Sequence, residues 1–184
     1  DTQADPKVGV DAAKALVDLE GVPLLMGAVS SGVSMPILTS VTVPAGVMQM
    51  SCCSSSTAFT AVAEEGKTDG LWFRTFATTR NQAAVAGMLI RDRGYERVAI
   101  FYKNDDWGQD IGKLVAADLA AMGVEVTANV AINDAQPSYR AEVTEALRTQ
   151  PDAIYLALYP TEGSSVAREW ISLGGTQNMV VANS

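Results

Sequence analysis

Residues 97–123, RVAIFYKNDDWGQDIGKLVAADLAAMG, and the continuation 124–132, VEVTANVAI, decide the fold class. Arg97–Lys103 is an apolar run rich in β-branched and aromatic residues, and Asn104–Asp106 breaks it with polar side chains. From Trp107 the apolar positions return at helical intervals, through Ile111, Leu114, Val115, Leu119 and Met122, until Gly123 stops them. A second β-rich run, Val124–Ile132, follows at once. Strand, helix and strand in that order mean parallel pairing, since the returning chain has to cross over the sheet.

The same alternation extends in both directions. Upstream runs are Val22–Val29, Val47–Ser51 and Leu71–Ala77; downstream runs are Ala153–Tyr159 and Met179–Asn183. Helical segments lie between them. The first takes Asp5 as N-cap and Pro6 as first helical residue, places Val8, Ala12, Ala15, Leu16 and Leu19 on one face, and ends at Gly21. Residues 82–93 end at Gly94, residues 138–149 at Pro151, and residues 163–173 at Gly174-Gly175. In these helices Tyr139, Val143 and Trp170 fall on apolar faces, and Tyr155 and Trp170 read as core. The prediction is an α/β protein with parallel sheets covered by helices on both faces.

The chain has 184 residues, 48% hydrophobic and 18% charged, which suits a folded protein and excludes disordered or low-complexity classes. Its longest apolar runs are far below the ~20 residues of a membrane-spanning helix. The formal charge is −8, with no two basic residues adjacent, so nucleic acid is excluded as a partner on charge grounds. Histidine is absent, which removes the commonest general base and zinc ligand. Neither a cofactor motif nor a metal-ligand spacing is present. The chain opens without a charged, apolar leader, so an export signal is absent or already removed, and the abrupt start at Asp1–Pro6 suggests a chain that begins upstream.

A domain boundary is expected at Arg74–Thr79, where a strand of mixed character follows the acidic segment Glu64–Gly70. Residues 1–75 then form part of one lobe and residues 76–184 most of a second, joined by a crossing strand.

In open parallel α/β sheets ligands bind beyond the carboxyl ends of the strands, where helix N-termini present free N–H groups. The segments at those positions are Ser30–Ser34, Ser51–Ser56, Asn104–Gly108, Asn133-Asp134, Pro160–Glu162 and Asn183-Ser184. The first half offers hydroxyls and N–H donors there without a cation, chemistry that suits a small carboxylate. Any one of Ser30, Ser31, Ser54, Ser55 and Ser56 is equally a helix cap or turn former; two clusters after consecutive strands favour a site. The second half offers Trp107 and Tyr159, rings able to close over an apolar ligand part; Trp107 is also placed to pack on its own helix. Cys52 and Cys53 are adjacent, which excludes an ordinary structural disulfide, and buried free thiols are expected in preference to a vicinal pair. Asp105 and Asp106 lack calcium-loop spacing and read as a solvated loop.

Six segments together resemble the type I periplasmic solute-binding proteins, in particular the branched-chain amino-acid-binding group that serves ABC importers. They are DTQADPKVGVDAAKA (1–15), LMGAVSSGVSMP (25–36), MSCCSSSTAFT (50–60), FRTFATTRNQ (73–82), VAIFYKNDDWGQDIG (98–112) and PDAIYLALYPTE (151–162). The resemblance runs over nearly the whole chain and implies a partial two-lobed fold, about half of such a protein being outside it. It implies that the Ser31 hydroxyl holds a ligand carboxylate, that Cys53 contributes backbone groups, and that Ser55, with Ser54 in the same turn, binds carboxylate and ammonium. Trp107 falls on the aromatic residue that precedes a glycine in the second lobe, and Tyr159 on the aromatic after the next strand. Ala4 and Ser30 stand where some members carry a cysteine pair.

Asn183 falls where the family places the acid that receives an α-ammonium, and an asparagine cannot neutralise one. Either the ligand lacks an α-amino group, or an acid outside this chain substitutes, or the alignment is offset by one residue. The implied function is capture of a small carboxylate-bearing ligand, an amino acid or related acid, without bond chemistry and without a cofactor. Its implied partner is an ABC permease, and its location is the periplasm, or a lipid-anchored extracytoplasmic face in a Gram-positive cell. A ligand-sensing domain of a receptor or regulator is the alternative on the same fold; a doubly wound enzyme is the remote one.

Overall fold

The structure is a computed structural model and describes residues 1–182. The chain forms two compact units, the first made of Asp1–Thr78 together with Asp105–Trp107, the second of Thr79–Asn104 and the chain from Gly108 onward.

In the first unit α1 (Pro6–Lys14) starts as its sequence signals require: Asp5 is extended and its carboxylate accepts the Val8 N–H at 2.9 Å. A single π-helical turn, Ala15–Leu19, carries it to Gly21, whose φ of +64° ends the helix. Strands β1 (Leu24–Met26), β2 (Met48–Ser51) and β3 (Trp72–Arg74) form a parallel sheet in that order. Between β1 and β2 runs α2 (Ser31–Ile37), extended by a π turn over Leu38–Thr42, and between β2 and β3 runs α3 (Ala58–Glu64). Helices α1 and α2 touch closely: a Cβ on Gly9 would lie 2.3 Å from Cγ1 of Val33, a contact that only glycine permits. Leu25, Val33, Ile37, Val41 and Val47 form the core beneath them, and Phe59 stacks on Trp72 at 4.1 Å.

The second unit holds β4 (Arg97–Lys103), β5 (Glu125–Ile132), β6 (Ala153–Ala157) and β7 (Met179–Val181), all parallel, in the order β5-β4-β6-β7. The register Val98↔Ala153 and Phe101↔Leu156 seats the two inner strands side by side. Every residue of β6 is buried, as an inner strand covered on both faces requires. Helices α4 (Thr79–Asp92), α5 (Asp106–Ala121), α6 (Arg140–Arg148) and α7 (Pro160–Ser172) connect and cover the sheet. Trp170 and Tyr155 are core, as their positions suggested. Trp170 meets Phe101 edge-on at 5.9 Å, and its indole N–H donates to the Thr176 carbonyl at 2.8 Å.

All seven β-rich runs form strands, several of them shorter than their apolar extent. Three helices start earlier than the periodicity indicated, α4 at Thr79 instead of residue 82 among them. Pro160–Glu162 and Asp106, read as polar loop, are instead first turns, where proline's fixed φ and acidic side chains near free N–H groups favour the helix. Among the described residues, no helix is long and apolar enough to cross a membrane.

Candidate functional site

Strand β1 stops at Met26 because its next carbonyls are taken by side chains instead of a neighbouring strand. Gly27 O accepts from Gln49 Nε2 at 3.0 Å; Ala28 O accepts from Ser51 Oγ at 2.6 Å and Ser34 Oγ at 3.0 Å; Val29 O lies 3.2 Å from Ser54 Oγ. Gln49 is wholly buried on β2, and its Oε1 accepts from Thr42 Oγ1 at 2.9 Å. Ser51 Oγ in turn accepts the N–H groups of Cys53 and Ser54 at 3.2 and 3.0 Å. A buried network of this kind binds the turns after β1 and β2 into one body.

Counting protons separates the serines, since each hydroxyl has one to give. Ser34 donates its proton to Ala28 O, Ser51 shares its own between Ala28 O and Ser54 Oγ at 2.9 Å, and Ser54 gives its proton to Ser34 Oγ at 2.8 Å. All three are spent inside the protein. Ser31, the first residue of α2 and 1% exposed, is different: its oxygen accepts the Ser56 N–H at 3.2 Å, and its proton has no acceptor among the described residues; the Ser56 hydroxyl, which accepts the Ala58 N–H at 3.2 Å, shares that state. Ser55 lies in the adjoining turn, also buried.

Two expectations for this region are corrected. Cys52 and Cys53 are a vicinal disulfide, not free thiols; Cys52 is exposed and Cys53 half-buried. The turn runs outward between Ser51 and Ser54, whose side chains are drawn in, so the pair between them is left near the surface. Nor does the region lack a cation. Arg74, at the end of β3, donates through Nη1 to Ser56 O at 2.7 Å and Ser54 O at 3.3 Å, and through Nη2 to Thr60 Oγ1 at 2.7 Å. Its guanidinium closes the far side of the serine turn. Its sequence neighbours marked it only as a boundary residue, because pairing of β3 with β2 is a long-range fact.

In the second unit the tips of β4 and β5 are tied together. Asn104 N donates to Ile132 O at 2.9 Å, Asn104 Nδ2 to Asn133 Oδ1 at 2.7 Å, and Gln109 Nε2 to Asn104 Oδ1 at 2.9 Å. The turn into α5 is so tight that a Cβ on Gly108 would sit 2.0 Å from the Lys103 carbonyl oxygen. Tyr159 is the N-cap residue of α7, half-buried, beside an apolar cavity of about 350 Å³ lined by Leu156, Leu158, Ala167, Met179 and Val181. Lys103, which sequence reasoning passed over as the end of a strand, is buried, ion-paired with Asp134 and set 5.8 Å from the Tyr159 ring centroid. Tyr139 donates to Asn133 O at 3.1 Å; burial first, and then the charge of Glu162, raises its phenol above the ordinary tyrosine range.

Ser31, Cys53, Ser54 and Ser55 thus come together in the first unit. Trp107, second residue of α5 and 3% exposed, groups with that unit as well. Tyr159 belongs to the second, and Asn183 lies outside the described residues.

A parallel α/β fold in two units, with a hydroxyl-rich turn at one set of strand tips, defines a class of binding protein, and comparison identifies it. The chain belongs to the periplasmic binding protein family, whose model matches residues 1–184. The fold is that of the type I members, in part. A Leu/Ile/Val-binding protein, BraC3 of Rhizobium johnstonii, is 28% identical over 98% of this chain and 47% of its own length. A substrate-binding protein of a chemotactic signal transduction system, BasB of Halobacterium salinarum, is 30% identical over 93% of this chain and 41% of its own. The leucine-binding protein LivK of Thermotoga maritima superposes with a TM-score of 0.88 at 22% identity, covering 98% of this chain and 50% of that one. The chain therefore spans about half the length of these relatives.

Proposed function

We propose that this chain is part of an extracytoplasmic solute-binding protein of an ABC importer, which captures a small carboxylate-bearing solute, an amino acid or related acid, and delivers it to a membrane permease. The two units are read as parts of two lobes that close on the ligand, with the change of lobe between β3 and α4. The observation that carries this reading is the unspent proton of Ser31, buried at the strand tips beside Ser34, Ser51 and Ser54, whose protons are consumed. A carboxylate is the acceptor such a donor suits, alongside Ser55 and the backbone N–H groups near Cys53, while Ser54 and Arg74 hold the turn in shape. Trp107 and Tyr159 are assigned to the apolar part of the solute, and the Asn183 position to its α-substituent. No bond chemistry is involved, and closure is favoured only so far as the solute touches both lobes. The names of the rhizobial and Thermotoga relatives support an amino acid as the solute class.

A sensing role on the same fold is the second reading, favoured by the name of the halobacterial relative. The test is a thermal-shift screen of the full-length protein against aliphatic amino acids, aromatic acids, keto acids and the corresponding amides. Acids are expected to raise the melting temperature and amides of the same skeleton are not. Equal shifts with acid and amide, or none with any acid, would overturn the carboxylate assignment.

A further inference from the structure

The Cys52–Cys53 disulfide joins residues adjacent in sequence, so it closes a small ring around the peptide bond they share and restricts ψ of Cys52 and φ of Cys53. Loop closure explains little of its value to the fold. The stabilisation that a disulfide gives through chain entropy grows with the length of the loop it closes, and here no residue lies between the cysteines. The flanks of the turn are held by other means. Ser51 Oγ accepts the N–H groups of Cys53 and Ser54, and Arg74 Nη1 donates to the carbonyls of Ser54 and Ser56. What the ring settles is the path of the chain between those anchors.

That path lies beside the candidate site. Ser51, Ser54, Ser55 and Ser56 are buried, whereas Cys52 is exposed and Cys53 half-buried, so the disulfide is the part of the turn that solvent reaches. Ser55, assigned above to the solute carboxylate, follows in the same turn, and the Ser56 N–H donates to Ser31 Oγ. Structural disulfides resist thiols, while exposed ones are the labile ones. A reducible link therefore sits in the segment that presents the carboxylate's partners.

We propose that the Cys52–Cys53 pair is a redox control on solute capture: oxidised, its ring holds the serine turn in binding shape; reduced, the turn relaxes and the solute is held less tightly. This rests on the carboxylate-capture reading above. The reductant is a dithiol. Its thiolate attacks the exposed Cys52 Sγ, the S–S bond breaks, and Cys53 Sγ leaves as a thiolate that takes up a proton. The second thiol of the reductant then displaces Cys52 Sγ, which is protonated in turn, so two electrons pass to the protein and the dithiol becomes a disulfide. Binding and reduction are coupled reciprocally: the factor by which reduction weakens solute binding is the factor by which bound solute disfavours reduction.

The experiment titrates the full-length protein calorimetrically with L-leucine, benzoate and 4-methyl-2-oxopentanoate, before and after dithiothreitol. For each acid that binds, reduction is expected to raise the dissociation constant about five- to thirty-fold, the freedom regained by one backbone residue. The melting temperature of the ligand-free protein should fall by about 4 °C or less. Reoxidation with oxidised glutathione restores the affinity. The double variant Cys52→Ser, Cys53→Ser binds as the reduced parent does and is indifferent to dithiothreitol. Iodoacetamide trapping in a dithiothreitol redox buffer gives a readout that needs no variant, bound acid shifting the pair toward the disulfide by the same factor. Affinity unchanged or tightened on reduction, a double variant that binds as the oxidised parent does, or binding lost only as the ligand-free protein unfolds overturns the inference and leaves the carboxylate reading in place. If none of the three acids binds the oxidised protein the inference is overturned as well, and the acid-against-amide screen decides the carboxylate reading by itself.

Discussion

In Ser31→Ala the oxygen that accepts the Ser56 N–H at 3.2 Å is lost from a position 1% exposed. A buried N–H left unpaired costs about 1–3 kcal/mol, and since the bond is long the lower figure applies, about 1 kcal/mol. For a chain of this size that lowers the melting temperature by roughly 2–4 °C. Binding should suffer more than stability. The Ser31 proton is assigned to the ligand carboxylate, and a hydrogen bond to a charged group contributes about 1.5–3 kcal/mol, so the dissociation constant should rise roughly 10- to 150-fold. Ser54→Ala is the comparator. It breaks the link from Ser54 to Ser34 at 2.8 Å and to Ser51 at 2.9 Å, and so should cost at least as much stability, while its effect on affinity comes only through disorder of the turn. Both are read on the full-length protein by thermal unfolding and by calorimetric titration with the best acid from the screen. Ser31→Thr, which keeps a hydroxyl, should recover much of the affinity. If Ser31→Ala binds within about two-fold of the parent, a difference of only ~0.4 kcal/mol, the proton-counting argument is wrong.

Three further outcomes are expected. Gly108→Ala drives a methyl group to 2.0 Å from the Lys103 carbonyl oxygen and 2.7 Å from its backbone N, so the start of α5 must move; urea unfolding should show a loss of about 3 kcal/mol or more, and a loss below about 1 kcal/mol would contradict the close packing. Burial raises the Tyr155 phenol well above its ordinary value, and Tyr139 is raised as well. A raised tyrosine is neutral in both folded and unfolded chains below pH ~10, and only the unfolded chain ionises just above it, so stability should hold from neutral to about pH 9 and fall beyond pH ~10; melting temperatures that stay level to pH 11 would refute this. Iodoacetamide should leave Cys52 and Cys53 unlabelled in the untreated protein and label both after dithiothreitol, Cys52 being exposed; intact-mass measurement showing label without reductant would mean the pair is not formed.

Several features that sequence periodicity left unmarked have definite physical reasons. The stretch 31–42 carries Pro36, which ordinarily argues against a helix interior, yet α2 runs through it and on into a π turn. Packing against α1 and burial of Val33, Ile37 and Val41 outweigh the local penalty. Strand β1 was overestimated because an apolar run says nothing of where the carbonyls after it will find donors. Those donors come from Ser34, Gln49, Ser51 and Ser54, between 6 and 26 residues away in the chain.

Alternating apolar runs, helical spacing, capping residues and stop signals were enough to establish a parallel α/β protein with polar turns at its strand tips, because secondary structure and its burial depend on near neighbours and on period. The absence of histidine and of basic clusters narrowed the chemistry toward reversible binding for the same reason, composition being independent of conformation. Which serine keeps a proton, which cation backs the serine turn, and that Lys103 is buried beside Tyr159 follow only from strands brought together across long stretches of chain. A hydroxyl's availability depends on its distance from every other acceptor, and that quantity does not exist until the sheet has formed.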